Sequence, residues 1–433
     1  MYKNKPICVV SAPLTSRSGY GTHTRLIVKS LIVLDRYDLK VIPTPWGSTP
    51  LDALDPNNPE DMKLINLIVD PRSITQQPDL WIQITIPNEM MRNGKVNVLI
   101  TAGTEASSPP KEFVEGCNRA DFVITPSEFT KRILELASFE IKDKNSGQVT
   151  GHLKVEKPLY TLFEGLETNK FSKGLPVIST VKDLINIPQE FAFLSTGLWL
   201  GGQLGEDRKD ISGVIKIFLD TFKDKADRNK PALLLKTSGA GFSETENSVI
   251  LNKIEQIKNT CGTFTGTNWP AIYLLSGDFT DEEMNTLYHH PKVKCMVSFT
   301  KGEGFGLPLL EFCSTGKPII CSKYSGPLDF LNPEYNILLP GKMTKIHHSA
   351  ANQWLPSTAS WFTVDYGYAS GVMKDIVENY DKYLVNSKNN INFIKNNFSF
   401  EKMTEQFADI LNYILPVQEV KQFEMPILNL PKL

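Results

Sequence analysis

Residues 301–311 read Lys301-Gly302-Glu303-Gly304-Phe305-Gly306-Leu307-Pro308-Leu309-Leu310-Glu311. The apolar run Cys295–Ser298 ahead of this stretch has the length and composition of a buried strand, and Pro308–Ser314 behind it reads as a helix. Gly304 and Gly306 let the backbone come close to whatever occupies the turn. A helix starting there offers unpaired N–H groups and the positive end of its dipole to phosphate oxygens. Glu303 stands before the turn and Glu311 about one and a half helical turns inside it. Two carboxylates so placed can accept hydrogen bonds from separate sets of hydroxyls, one on each side of a diphosphate. A plainer reading stays open at this point: a glycine-rich strand–helix turn whose acid complements the dipole.

Working outward, short apolar strands alternate with helical periodicity, the pattern of α/β domains with parallel sheets. Phe191–Ser195, Ala232–Lys236 and Ile272–Leu275 read as strands before the turn, and Pro318–Cys321 as one after it. Helices are expected between them at Ser212–Thr221, Val249–Lys258 and Asp281–Tyr288. An earlier series has strands at Ile7–Val10, Leu39–Ile42, Leu80–Ile84, Val96–Ile100 and Phe122–Thr125. A helix is expected from about Thr22 to Leu34, and Ser127 is placed to cap another. Residues 137–157 turn polar and read as a surface excursion, whereas 163–188 look like a connector between domains. Helical periodicity returns at 367–388 and 400–415. A chain of 433 residues is too long for one ordinary core, so two domains are expected.

Composition narrows the function. Hydrophobic residues at 41% and charged ones at 22% are those of a soluble globular protein, and a formal charge of −2 gives no global attraction to nucleic acid or anionic membrane. The cysteines at 8, 117, 261, 295, 313 and 321 form no C-x-x-C pair and read as reduced core residues. The apolar run Ile7–Val10 is too short for a signal peptide, and no run approaches a membrane span, so a cytoplasmic protein without membrane insertion is expected. There is no D-x-D triplet and no H-E-x-x-H, so no metal site and no cofactor are expected. Ser18-Gly19-Tyr20-Gly21 lacks the third glycine of a dinucleotide fingerprint, which counts against a nicotinamide enzyme. His23 reads as a neighbour of a helix cap, and the pairs His289-His290 and His347-His348 read as surface.

The 303–311 segment resembles the E-x7-E signature of retaining glycosyltransferase family 4, of the GT-B fold. Four further stretches are similar to that family in order. Asp121-Phe122-Val123-Ile124-Thr125-Pro126-Ser127 resembles an element of its first domain, and 190–222 the opening of its second. Tyr273 to Glu283 resembles its "sDEEL" strand, loop and helix, and Phe398-Ser399-Phe400-Glu401 its closing motif. The resemblance implies an α/β GT-B architecture of two Rossmann-like domains facing a central cleft. Residues 1–185 would hold the acceptor and 186–400 the nucleotide-sugar, while 401–433 would form a helix crossing back to the first domain and a tail.

It also implies roles. Glu303 would touch the donor sugar and Glu311 the ribose, with the N–H groups of Phe305, Gly306 and Leu307 around the sugar and diphosphate. Lys209, with Arg208 beside it, would meet the leaving diphosphate, and Gly19 and Gly21 would close over it from the first domain. Gln203 and Leu204 occupy the stretch where many relatives carry another arginine, which Arg208 would replace. Arg208 is expected to point elsewhere on the loop than Lys209 and to matter less, unless it does replace that arginine. Asp278 and Phe279 join the donor-binding set through the same resemblance. Lys236 ends a strand at the edge where open α/β sheets bind ligands, although a lysine lying along the surface fits equally well. Glu105 follows the strand Val96–Ile100 and is set near the reacting centre, against the alternative of an ordinary surface acid.

The expected reaction is transfer of a sugar, UDP-linked, to an acceptor hydroxyl with retention of configuration. Two alternatives stand beside it. The stretches Gly19–Arg25, Ile100–Glu105 and Val114–Arg119 are similar to glycosyltransferases of large tailed bacteriophages, some of which glycosylate hydroxymethylated pyrimidines of DNA with glucose or arabinose. Lys111, Arg119, Lys131 and Arg132 would then form a phosphate-contacting face. The other alternative is a sugar-nucleotide-binding module without catalysis.

Overall fold

The computed structural model describes residues 5–223, 230–239, 241, 243–261 and 269–415. In chain order, strands β1 (Ile7–Ala12), β2 (Asp38–Pro43), β3 (Leu80–Ile84), β4 (Val96–Ile100) and β5 (Phe122–Thr125) precede an exposed antiparallel hairpin, β6 (Phe139–Lys142) and β7 (Val149–Leu153). β8 (Leu159–Thr161) then completes a six-stranded parallel sheet ordered β2-β1-β3-β4-β5-β8. A second parallel sheet takes β9 (Ala192–Thr196), β10 (Ala232–Lys236), β11 (Ile272–Leu275), β12 (Val293–Ser298), β13 (Ile319–Ser322) and β14 (Ile337–Leu339) in the order β11-β10-β9-β12-β13-β14. An antiparallel pair, β15 (Gly341–Lys345) and β16 (Ser360–Val364), stands apart.

Both sheets are covered on both faces, which is why their strands read as nearly unbroken apolar runs. In β10, Ala232 and Leu234 enter one core while Leu233 and Leu235 enter the core on the opposite face. The covering helices are α1 (Gly19–Leu34), α2 (Pro59–Ile65), α3 (Lys111–Arg119), α4 (Glu128–Leu136), α5 (Ser179–Leu184), α6 (Ile211–Phe222), α7 (Glu244–Thr260), α8 (Asp281–His289), α9 (Leu307–Cys313), α10 (Tyr366–Glu378), α11 (Tyr380–Ser387), α12 (Asn389–Asn397) and α13 (Phe400–Ile414). Their starts follow from side-chain chemistry: Ser18, Ser127, Ser243 and Thr280 each accept an N–H of the first turn, the last two within full capping boxes. The final helix α13 buries Met403, Phe407, Ile410, Leu411 and Ile414 in the core that holds Leu26, Ile27 and Leu31 of α1. Burying each such side chain stabilises by roughly 1.5–3 kcal/mol. Ser30 and Thr404 add a hydroxyl pair at 2.9 Å between the same two helices. The tail expected after this helix, 416–433, lies outside the described residues.

Strand order reverses between β1 and β3 in one sheet and between β9 and β12 in the other. The loops leaving these carboxyl ends form the crevice where open α/β sheets take ligands. The two sheets meet there through Ser127 Oγ, which donates to the Gly304 carbonyl at 2.5 Å, and through Glu128 N–H to Asp329 Oδ2 at 2.8 Å. Arg17 pairs with Asp278, and Lys170 with Asp281 at 2.6 Å.

Several expectations change. α1 begins at Gly19, so Gly19 and Gly21 belong to the first helical turn rather than to a loop before it, because Ser18 accepts the Gly21 N–H at 3.0 Å. The polar excursion is a β-hairpin, and the connector contains α5. His290 is buried, with its Nδ1 accepting the Lys292 N–H, and His289 Nδ1 faces the Asn285 carbonyl, so this pair is no surface feature. Burial lowers the pKa of both rings. Among the described residues, no helix is long and apolar enough to cross a membrane.

Candidate functional site

The site grows from the two loops at the strand reversal of the second sheet. After β9, Asp207 folds the approach to α6: its carboxylate accepts the Ile211 N–H at 2.9 Å and the Ser212 hydroxyl at 2.6 Å. Asp210 takes a left-handed backbone with φ of 50°, costly for a residue with a side chain. It is held there by the Tyr366 hydroxyl at 2.6 Å, with buried Lys301 3.8 Å away. Burial pushes the Asp210 carboxyl up to about 7, against the pull of Lys301. The Lys301 N–H donates to the Arg208 carbonyl at 2.8 Å and ties this loop to the one after β12.

Arg208 and Lys209 therefore turn together onto Glu303. Arg208 donates to Glu303 Oε2 at 3.0 Å and to the Gly302 carbonyl at 2.8 Å, and lies 3.4 Å from Glu105 Oε1. Lys209 Nζ bonds Glu303 Oε1, which also accepts from Thr300 at 3.0 Å. The Glu303 N–H donates to Ser325 Oγ at 2.9 Å. Burial alone would raise the Glu303 carboxyl, but Lys209 and Arg208 outweigh it and hold it down at about 2. Burial works against the Arg208 charge as well, and Glu105 and Glu303 outweigh it, so its pKa is raised. The expectation that Arg208 points elsewhere is thus corrected: the fold of 207–210 aims both cations at one carboxylate, and Glu105 joins them from the first domain.

The glycines divide by cause. A Cβ on Gly302 would lie 1.9 Å from the Glu105 carbonyl, and one on Gly304 would lie 2.9 Å from Ala102 Cβ. Both are small because the first domain packs on them, which corrects the reading of Gly304 as making room for a ligand. Gly306 has φ of +106° and starts α9, so it alone of the three needs glycine's backbone freedom. Phe305 is buried against Phe330, with ring centroids 5.0 Å apart, and only its backbone can serve a ligand. Leu307 and Glu311 line a crevice closed on the other side by Thr22 and Arg25 of α1 and by Gly165 and Lys170 of the segment after β8. The Tyr288 hydroxyl donates to Glu311 Oε2 at 2.9 Å, and burial, reinforced by Asp281, pushes the Glu311 carboxyl up to about 8.

Further along the strand edge, Lys236 donates to the Gly277 carbonyl at 2.6 Å and sits 4.5 Å over the Phe279 ring. Burial brings its pKa down to about 8. Asp278 is engaged by Arg17, a residue that sequence reasoning missed and that only its place before the Ser18 cap could have flagged. Gly19 is exposed, whereas a Cβ on Gly21 would lie 2.0 Å from the Ser16 carbonyl. Thr300 and Ser325, the polar support of Glu303, carried no signal in the sequence. Of the basic residues proposed to face DNA, Arg119 donates to the carbonyls of Met90 and Asn88, and Lys111 pairs with Glu115 at 3.3 Å. Lys131 lies 4.0 Å from both Glu128 and Glu135.

Solved structures with two such parallel-sheet domains align over nearly the whole chain. Anabaena Alr3699/HepE in complex with UDP and glucose has a TM-score of 0.57 at 13% identity, covering 94% of this chain and 100% of that one. The fold is GT-B. Sucrose-phosphate synthase from Thermosynechococcus elongatus shares this GT-B fold at a TM-score of 0.60 and 12% identity, covering 95% and 99% of the two chains. The α,α-trehalose 6-phosphate synthase from Burkholderia multivorans does so at 0.58 and 10%, with the same coverage. Residues 273–352, which contain the E-x7-E stretch, match the family described as glycosyl transferases group 1. No curated protein matches the sequence.

Proposed function

We propose that this chain is a glycosyltransferase that binds a UDP-linked sugar on its second domain and transfers the sugar, with retention, to an acceptor hydroxyl held by the first. The observation that carries the reading is the convergence of Arg208 and Lys209 on Glu303 at the reversal of β9 and β12, beside the start of α9. Breaking a sugar–phosphate bond builds negative charge on the leaving oxygen while the sugar becomes cationic. Two cations already fixed on the buried Glu303 carboxylate stabilise that charge without reorganising, and the α9 N-terminus adds its dipole. Glu303, kept ionised, accepts hydroxyls of the donor sugar, and Glu311 faces the ribose across the diphosphate. Glu105, drawn to Arg208 from the first domain, sets the acceptor side close to the same centre. Charge neutralisation by side chains is proposed to serve in place of a metal ion. The Anabaena neighbour, solved with UDP and glucose, supports the choice of UDP.

Incubation with UDP-glucose and related UDP-sugars, followed by proton NMR of the released or transferred sugar, tests the reading. An α-configured product from an α-linked donor is expected. An inverted product would refute retention, and intact donors throughout would refute the transferase.

A further inference from the structure

The hairpin of β15 and β16 is a part of the second domain that the mechanism above leaves unused. Alternation along β16 turns its side chains two ways. Phe362 and Val364 enter the core that holds Val297 and Phe299, whereas Trp361 joins a small cluster with Ile346, Ala359 and, from the first domain, Ala106. Trp361 is 1% exposed and Ala106 is fully buried. The backbones meet one residue further on: the Ser107 N–H donates to the Ser360 carbonyl at 2.8 Å, and the Ser360 N–H donates to Ser107 Oγ at 2.9 Å. In the loop between the strands, Trp354 stacks on Phe113 of α3 with ring centroids 5.7 Å apart. The hairpin thus grips the first domain at the two residues that follow Glu105. It also fixes what Glu105 faces. The Phe362 N–H donates to the Lys301 carbonyl at 3.0 Å, and the Lys301 N–H donates to the Arg208 carbonyl at 2.8 Å. Lys301 Nζ lies 5.4 Å over the Trp361 ring.

Resting on the transferase reading, in which Glu105 serves the acceptor side, we propose that this hairpin is a positioning element for the reaction. Through Ala106 and Ser107 it sets the Glu105 carboxylate on Arg208, 3.4 Å away, beside Glu303. The acceptor-side geometry is then fixed by the second domain, although Glu105 itself belongs to the first. Glu105 keeps 31% of its side chain accessible, so packing around the carboxylate does not hold it alone. Anchoring the backbone that follows it removes part of the freedom that such a side chain has on a loop. A misplacement of about 1 Å at a reacting centre can cost about 100-fold in rate, so even a slight slackening is measurable. Ala106, Ser107, Ser360 and Trp361 act through Glu105 and are positioning residues rather than groups that touch the donor.

A double-mutant cycle on the full chain tests this, read as UDP release from saturating UDP-glucose, UDP-galactose and UDP-N-acetylglucosamine with water as acceptor. Ala106→Gly combined with Ser107→Ala removes the methyl from the cluster and the hydroxyl from Ser360, and changes no charge. This pair should lower kcat about 5-fold, while UDP affinity by calorimetry stays within about 2-fold of wild type. Glu105→Gln should lower kcat about 10-fold, the scale of one charged hydrogen bond. In the Glu105→Gln background the pair should cost less than about 2-fold more, because both changes act on one group. Ser107→Ala alone leaves the buried cluster whole, so it should move kcat the same way by a smaller factor even if the pair destabilises the fold. The proposal is overturned if the pair lowers kcat by the same factor in both backgrounds, if it or Glu105→Gln leaves kcat unchanged, or if UDP affinity falls as far as kcat. If the wild type releases UDP from none of the three donors, the transferase reading itself fails.

Discussion

Replacing Lys209 with Ala removes one of the two cations on Glu303 and leaves Arg208 in place. In the resting protein the loss is that of a charged hydrogen bond between side chains 20% and 11% exposed, worth about 1.5–3 kcal/mol before solvent screening trims it. In turnover it should be larger, because the charge that Lys209 meets grows as the sugar–phosphate bond breaks. Loss of one such preorganised contact typically costs roughly 10²–10³ in kcat, or about 2.7–4 kcal/mol of transition-state stabilisation. The donor KM should change little, since the ground state engages the lysine less than the transition state does. UDP release from saturating UDP-glucose, measured beside thermal unfolding of the same preparations, separates the two effects. Arg208→Ala is the informative companion. Its guanidinium also holds the Gly302 carbonyl and faces Glu105, so its loss should lower both turnover and stability. A folded Lys209→Ala protein that keeps kcat within about threefold of wild type would refute the placement of this cation at the leaving group.

Three further outcomes are expected. At pH 9, where Glu311 is ionised, Glu311→Ala should weaken UDP binding by about 1.5–3 kcal/mol, the scale of a charged hydrogen-bond acceptor, and unchanged affinity by calorimetry would remove Glu311 from the ribose. Stability should respond to pH through the raised carboxyls: Glu311 and Glu164, at about 8 when folded against 4.5 unfolded, hold protons that the unfolded chain releases, so their contribution is whole below pH 4.5 and is lost as pH rises through about 8. Glu311→Gln should therefore gain Tm relative to wild type at pH 9 compared with pH 5, and a gap that stays constant contradicts the shift. Glu303, depressed to about 2, contributes in the opposite sense, with stability present above pH 4.5 and lost as pH falls through 2. Finally, UDP release should persist after exhaustive dialysis against EDTA, because Arg208 and Lys209 are proposed to neutralise the diphosphate. Loss restored by manganese or magnesium would refute that.

Much of the fold is legible because a parallel strand buried on both faces must be an apolar run. β3, β4, β5, β10 and β11 occupy the residues expected of them. The strands that escaped are short or exposed: Gly341-Lys342-Met343-Thr344-Lys345 pairs with β16 through its backbone and shows no clear alternation of apolar residues. α7 runs earlier than its apolar periodicity suggests because Ser243 and Glu246 close a capping box ahead of it. In the site, Glu303, Glu311 and Lys209 are visible as residue types at a spacing. What they touch is not. The direction of Arg208 depends on Asp207 and Asp210 folding the loop, and the small size of Gly302 and Gly304 depends on Ala102 and Glu105 of the other domain.

Thermal unfolding of the wild-type chain with UDP, ADP, GDP and CDP, each at millimolar concentration, bears most directly on the proposed nucleotide site between Lys209, Glu303 and Glu311. A ligand that binds only the folded state raises apparent stability by about 2.7 kcal/mol at 100 times its Kd. UDP is expected to raise Tm clearly above the other three, and Glu311→Ala to abolish most of that rise. If no nucleoside diphosphate shifts Tm, or if the shift is the same in Glu311→Ala, the crevice is not a nucleotide-sugar site.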